Sequence, residues 1–501
     1  MNNRFKVLKW NSLLALCYQV ILIVTGLILP RCFLHFYGSA VNGLITSITQ
    51  FLSFINICDL GISAVVSSSY YKPLSEQNSY EISRIFVYAR RFFRVIGFIL
   101  LGYLAFLLLA YPTLINDEFD YWFTFTLIAA MGISQLAQYF IGISYQLLLN
   151  ADQKSYVQLI VNGSTLILNT VASVLLMVFG ASIQVVKLAT SLLYLLRPLV
   201  MWWYVRRNYT LNLSVPVDGS VVTQKKSGII QHIAHTLYEN TDVMVLTVFS
   251  TLENVSIYGV YTLVTSSIRQ LVTAAITGVQ ALLGNMIANE EQDNLSRFYS
   301  LYHWGLHTIA ALLFTVTGLL IVPFVRLYTA DVTDADYHVP VFAVLITLAY
   351  FLSTIRHGNY VLIRAAGHYK RTQHATLIES TLNLVISVVC VFRFGLIGVA
   401  VGTVAATLFF VVYEMLYFSK NIVFMPIKRC LRQWVADLLS SAISIVIAVN
   451  VNLFTDTVLS WLWQAVVVTG VCIAVNLLVQ LIFCRDDLSS VKALLVKKLK
   501  R

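Results

Sequence analysis

Along almost its whole length the chain runs as apolar stretches separated by short polar breaks, each stretch near the ~20 residues that a helix needs to cross a bilayer core of ~30 Å. Inside such a core every backbone N–H and C=O must be satisfied within the spanning segment, so stretches of this length read as helices. Composition agrees with the pattern. Of 501 residues, 58% are hydrophobic and 11% are charged, with a mean hydropathy of +0.78, whereas soluble domains carry roughly a quarter charged residues. A soluble globular fold is excluded, and little chain remains for a separate soluble domain.

The pattern predicts an all-α polytopic membrane protein of about fourteen spans, near 12–30, 39–68, 95–115, 122–149, 157–179, 184–205, 228–250, 256–287, 304–327, 340–363, 375–394, 396–418, 434–454 and 460–484. An even number places both termini on one side. Assigning that side to the cytoplasm puts most of the 34 Lys and Arg in cytoplasmic segments and leaves Arg31, Arg326 and Arg393 outside, as the positive-inside rule requires. The net charge of +11 is thereby attributed to the membrane surface and not to nucleic acid. Arg4, Lys6 and Lys9 precede the first span, and Pro30 and Arg31 follow it in place of a small-residue cleavage site, so the span is read as uncleaved. The basic tail of Lys497, Lys498, Lys500 and Arg501 is read chiefly as a topology signal, or as a contact for anionic lipid. Seven scattered cysteines lack the spacing of a zinc site or a disulfide framework and read as packing residues.

No GxxxxGK[ST], HExxH or GxSxG occurs, so the chain offers neither a nucleotide-hydrolysing loop nor those hydrolytic motifs, and it implies no cofactor. An internal repeat is visible instead. Val41-Asn42-Gly43-Leu44 matches Ile257-Tyr258-Gly259-Val260 at an offset of 216, and Ala151 and Gly180 match Ala366 and Gly395 at 215. An offset of six spans predicts two six-helix lobes in parallel pseudo-repeat, with the substrate site expected between them. The expected domains are an N-terminal lobe (1–205), a cytoplasmic linker (206–227), a C-terminal lobe (228–418), and two appended spans with the basic tail (419–501).

Polar residues at helical period mark the wet faces. On the eighth span Thr262, Ser266, Arg269, Thr273, Thr277, Gln280 and Gly284 fall on one arc, and Asn42, Thr46, Thr49, Ser53 and Asn56 repeat the pattern on the second. The seventh span adds Gln231, His235, Glu239 and Asp242, and the tenth adds Thr347, Tyr350, Thr354 and His357. Arg269 lies at least twelve residues from either end of its span, ~18 Å or more at 1.5 Å per residue, too deep to snorkel. Glu239 and Asp242 are its candidate partners, or sites for a coupling cation. His235 is a candidate proton relay beside Asp242. Arg197 and Arg356 lie nearer the cytoplasmic face, Lys187 is read as an anchor near the outer one, and Asp59 is expected in a structural ion pair. Glu379, Glu414 and Asp437, close to the span ends, are expected to be solvated caps.

In order along the chain come Asp59-Leu60-Gly61, Asn240-Thr241-Asp242, Tyr258-Gly259-Val260-Tyr261, Ala366-Gly367, Glu379-Ser380 with Asn383, and Gly395-Leu396-Ile397-Gly398-Val399-Ala400. In this the chain resembles the bacterial polysaccharide (O-antigen, Wzx-type) flippases of the multidrug/oligosaccharidyl-lipid/polysaccharide exporter superfamily. The resemblance implies a flippase of the bacterial cytoplasmic (inner) membrane. It would carry an undecaprenyl-pyrophosphate-linked oligosaccharide to the outer leaflet by alternating access, for O-antigen or capsule synthesis, with possible proton or sodium coupling. It further implies a cationic substrate site, mapped onto Arg269, then Arg356 and Arg197, with sugar hydroxyls meeting Thr262, Ser266, Thr273, Gln280, Asn42, Thr46 and Ser53. The expected protein is a monomer, open to contact with other polysaccharide-assembly proteins. Two other readings compete: a multidrug/cation antiporter of the same superfamily, which a mid-span arginine disfavours, and a polysaccharide polymerase. The polymerase needs a large external loop, whereas the longest here is Tyr328 to Val339.

Overall fold

The computed structural model describes residues 2–59, 61–115, 118–216, 229–276, 279–450 and 457–485. Leu60, Thr277, much of the 206–227 linker and the basic tail therefore lie outside the described residues. Among those described there are helices and no strands. Among the described residues eleven helical segments are long and apolar enough to cross a membrane, and one of them, Leu14–Asp59, covers most of the first predicted span and the first two thirds of the second. The helices over predicted spans seven and eight are not among the eleven. They are the ones that carry Glu239, Asp242 and Arg269.

The chain divides into two units, Met1–Thr236 and Leu237–Arg501. In the first, α1 (Asn2–Ser53) joins two spans across Gly38, whose φ of 81° lies in the left-handed region open to glycine. The predicted second span, 39–68, is not one helix: a 3-10 segment (Phe54–Asp59) and Gly61 (φ 73°) separate α1 from α2 (Ile62–Ser75). Asp59 explains where α2 begins. Its Oδ1 accepts from the Ser63 hydroxyl at 2.8 Å and the Ser63 N–H at 3.3 Å, satisfying a donor that a helix start leaves open. The expected ion pair is absent among the described residues. α3 (Ser79–Leu114) is capped by Asn78, and α4 (Tyr121–Ala137) by Asp120. A π-helical turn (Gln138–Gly142) leads into α5 (Ile143–Ala151), and α6 (Ser155–Val178) follows. The sixth span is broken into α7 (Ile183–Tyr194) and α8 (Leu196–Asn208). Pro198 is the cause, because it cannot donate to the Tyr194 carbonyl and its ring crowds that oxygen. Tyr70, Phe86, Phe93, Ile96, Leu100 and Leu148 form this unit's core.

α9 (Ile229–Phe249) crosses the division, and α10 (Leu252–Ile276), α11 (Val279–Ala288), α12 (Gln292–Tyr328) and α13 (Pro340–Ala365) continue the second unit. α14 (Tyr369–Phe394) and α15 (Leu396–Asn421) form a helical hairpin about Gly395, φ 52°. Its two arms meet backbone to backbone. A Cβ on Gly402 would lie 2.8 Å from the Ser387 nitrogen, and one on Gly398 would lie 2.5 Å from the Cys390 carbonyl carbon. This is the close approach that a small-xxx-small pair permits in membrane helices. Gly180 (φ 75°) also takes a positive φ, in the four-residue connection between α6 and α7.

α16 (Ile427–Asn450) and α17 (Val458–Phe483) pack on α12. The indole N–H of Trp304 donates to Gln480 at 2.9 Å, and His307 Nδ1 sits 2.7 Å from Asp437 Oδ2. Asp437 is thus a buried partner of His307 and Gln433 and not a solvated cap.

Candidate substrate and ion sites

In the second unit α9, α10 and α13 bring Glu239, Arg269, Ser353 and Tyr350 together. Both guanidinium ends of Arg269 reach Glu239, at 3.1 and 3.3 Å, and Nη1 also donates to Ser353 Oγ at 3.1 Å. The guanidinium carbon lies 5.2 Å from the centroid of the Tyr350 ring. This two-point fork is the arrangement an arginine offers to a carboxylate or a phosphate. The pair is not sealed, since the Arg269 and Glu239 side chains keep 24% and 34% of their surface exposed. Glu239 is therefore the partner of Arg269, and Asp242, the other candidate, is not. Thr262, Ser266 and Thr273 are partly exposed on α10, each hydroxyl bonded to a carbonyl of its own helix, and Gln280 is partly exposed on α11.

Asp242 sits one turn further along α9, fully inside the unit. Its carboxylate accepts from Thr403 at 2.7 Å, Tyr258 at 2.9 Å and Asn383 at 3.2 Å. All three donors are neutral. Among the described residues no Lys, Arg or His stands within ion-pair distance of it. His235, expected to relay protons to it, is exposed while Asp242 is buried.

Arg356 departs furthest from its expected role. It is 8% exposed, donates to Glu379 Oε2 at 2.7 Å, and lies between the rings of Tyr238 (5.0 Å) and Phe410 (4.8 Å). A guanidinium so enclosed holds a helix packing together and offers no open fork to a substrate. Glu379 and Glu414, expected to be solvated, are both fully buried, and neither oxygen of Glu414 has a hydrogen-bond partner among the described residues.

In the first unit Thr46, Thr49 and Ser53 bond their own helix's carbonyls, and Thr49 is exposed, whereas Asn42 is buried. A cavity of about 450 Å³ opens between α1, α4, α6, α7 and α8, with Arg197 and Lys187 in its wall. Arg197 Nε donates to Thr165 at 2.8 Å, and its guanidinium stacks 3.7 Å from the Tyr194 ring centroid. Lys187 lies 4.2 Å over Phe33 and faces this cavity. The amides of the wall include Gln158, Asn162 and Asn169, which with Thr165 repeat at helical period on α6. That signal was in the sequence, but the hydroxyl and charge stripes of other spans hid it.

No family model matches the chain, and no curated protein matches it in sequence. Solved structures do. The chain is similar to a lipid II flippase, MurJ, in an inward closed conformation: TM-score 0.70, 16% identity, covering 95% of this chain and 99% of that one. It is also similar to an inward-facing multidrug resistance MATE transporter of the MOP superfamily (TM-score 0.58, 12% identity, 81% and 98%). A eukaryotic MATE transporter matches at TM-score 0.57 with 13% identity, covering 86% and 98%. At such identities it is the fold that is shown: this is a multi-pass helical membrane protein with the fold of these flippase and transporter structures.

Proposed function

We propose that the protein is a flippase for a lipid-linked oligosaccharide, carrying an undecaprenyl-pyrophosphate-linked repeat unit across the bacterial inner membrane for surface polysaccharide assembly. The observation that carries this reading is the Arg269 fork: a deep guanidinium, partly exposed, on a helix face of partly exposed hydroxyls. Arginine's two parallel donors fit a phosphate as well as they fit Glu239. In this reading Glu239 holds the fork oriented while the site is empty, and a pyrophosphate takes its place or shares it. The hydroxyls of Thr262, Ser266 and Thr273, the amide of Gln280 and the Tyr350 ring then meet sugar. Asp242, held by neutral donors only, is the coupling residue, where a proton or sodium ion would supply the missing positive charge.

Arg269→Ala tests the reading. Surface polysaccharide in cells that depend on this protein falls at least tenfold while the variant still appears in the membrane fraction. Undiminished polysaccharide would remove Arg269 from the path. A multidrug/cation antiporter is the second reading, favoured by the Asp242 site. It expects Asp242→Asn to abolish drug efflux and Arg269→Ala to spare it.

A further inference from the structure

Intramembrane arginines in this chain have different company. Arg269 pairs with Glu239 and Arg356 with Glu379. Arg197 pairs with no carboxylate among the described residues: its contacts are the Thr165 hydroxyl and the Tyr194 ring. Lys187, on α7, likewise meets a ring and, among the described residues, no acid. Both line the 450 Å³ cavity of the first unit, and none of the residues lining it is Asp or Glu. Gln135, Gln158 and Asn162 also line it, and their side-chain amides make no hydrogen bond among the described residues.

Each of these features asks for something the chain does not supply. A cation inside a membrane protein is normally matched by an opposite charge, and polar side chains left unbonded at depth are costly. Lys187, Thr190 and Tyr194 follow one another at helical spacing on α7 and Arg197 follows at the start of α8, so the two cations stand ten residues apart in the chain and line the same cavity. Beside Leu29, Phe33, Leu52 and Met131 the wall carries amides and hydroxyls, the donors and acceptors that suit a sugar with its apolar ring faces. The volume is in the range of small-ligand sites.

We propose that this cavity is an anion site of the first unit, taking a negatively charged, hydroxyl-rich group: an acidic sugar. The carboxylate or phosphate of the ligand is the counter-charge for Arg197 and Lys187, and its hydroxyls occupy the amides of Gln135, Gln158 and Asn162. The flippase reading enters only in identifying the ligand as part of the carried glycan, which would then be acidic. The binding itself stands apart from export, because it is measured on purified protein.

The test is calorimetric titration of the full chain in detergent at constant ionic strength, with glucuronate, glucose 1-phosphate and glucose as ligands. At least one anionic sugar binds tenfold or more tightly than glucose, and Arg197→Gln and Lys187→Met each weaken it tenfold or more. Glucuronate as the better ligand assigns the site to a sugar acid, and glucose 1-phosphate assigns it to a phosphate. Should Lys187→Met fail to accumulate, Lys187→Arg, which keeps the charge, retains binding while Arg197→Gln loses it. Equal binding of all three sugars, no binding of any, or anion binding unchanged in Arg197→Gln overturns the proposal. Loss of export in Arg269→Ala together with absent anion binding would leave the flippase reading standing and this one refuted.

Discussion

Replacing Glu379 with leucine separates a packing role for Arg356 from a transport role. The Arg356–Glu379 contact is 2.7 Å, with side chains 10% and 0% exposed. At an effective dielectric of ~20 the attraction at that distance is roughly 6 kcal/mol, most of it offset by the desolvation of both ions. Removing the acid leaves the desolvation of the guanidinium without its compensation, which costs ~3–5 kcal/mol. Arg356→Met combined with Glu379→Leu removes both charges and keeps apolar volume between Tyr238 and Phe410, so most of the stability returns. Equilibrium denaturant titration of the purified variants, followed by helical signal, closes the double-mutant cycle. A coupling energy of ~2 kcal/mol or more is expected if the pair acts as a unit. A single Glu379→Leu variant as stable as the parent, or a double variant that loses the sum of both single losses, would refute the argument.

Three further outcomes are expected. Gly402→Val forces α14 and α15 apart at Ser387, and the membrane-inserted yield falls severalfold, whereas Gly470→Val on α17, where an added Cβ meets nothing within 4 Å, leaves it near parental. Asp59→Ala removes the acceptor at the start of α2 and costs ~1 kcal/mol of stability in the same titration, with Asp59→Asn recovering most of it. Asp242→Asn leaves Tyr258 and Thr403 hydrogen-bonded to a neutral amide, so the protein folds, but the proton or sodium dependence of transport in reconstituted vesicles disappears. Unaltered cation dependence would place the coupling site elsewhere.

The span pattern was legible because the thickness of a bilayer imposes it on any sequence that crosses. Gly180 and Gly395, which the sequence pairs by spacing, both take a positive φ between consecutive helices. The fate of the acids was not legible. Glu379 was placed four residues from the start of an apolar window at 375, but α14 begins at Tyr369, six residues earlier. The helix of Asp437 likewise starts at Ile427 and not at 434, and that of Glu414 runs on to Asn421. Helices overrun the apolar stretch that betrays them, so distance from its edge is a poor measure of depth. Partner choice was equally hidden: Glu239 and Asp242 lie three residues apart on α9, yet one meets Arg269 and the other three neutral donors. Only the placement of α13, α14 and α15 decides between them.

The unequal company of the three arginines also decides where a voltage can act. A guanidinium matched by its own carboxylate carries no net charge, so a field across the bilayer exerts no net force on either pair in the second unit. The Arg197 guanidinium meets a hydroxyl and a ring and, among the described residues, no carboxylate. Each elementary charge carried through the full field is worth ~2.3 kcal/mol per 100 mV. Any rearrangement that shifts the break between α7 and α8 along the membrane normal therefore draws on, or works against, the electrical gradient. A ligand anion seated on Arg197 would silence that response, which makes loading of the cavity and sensitivity to voltage two readings of one charge.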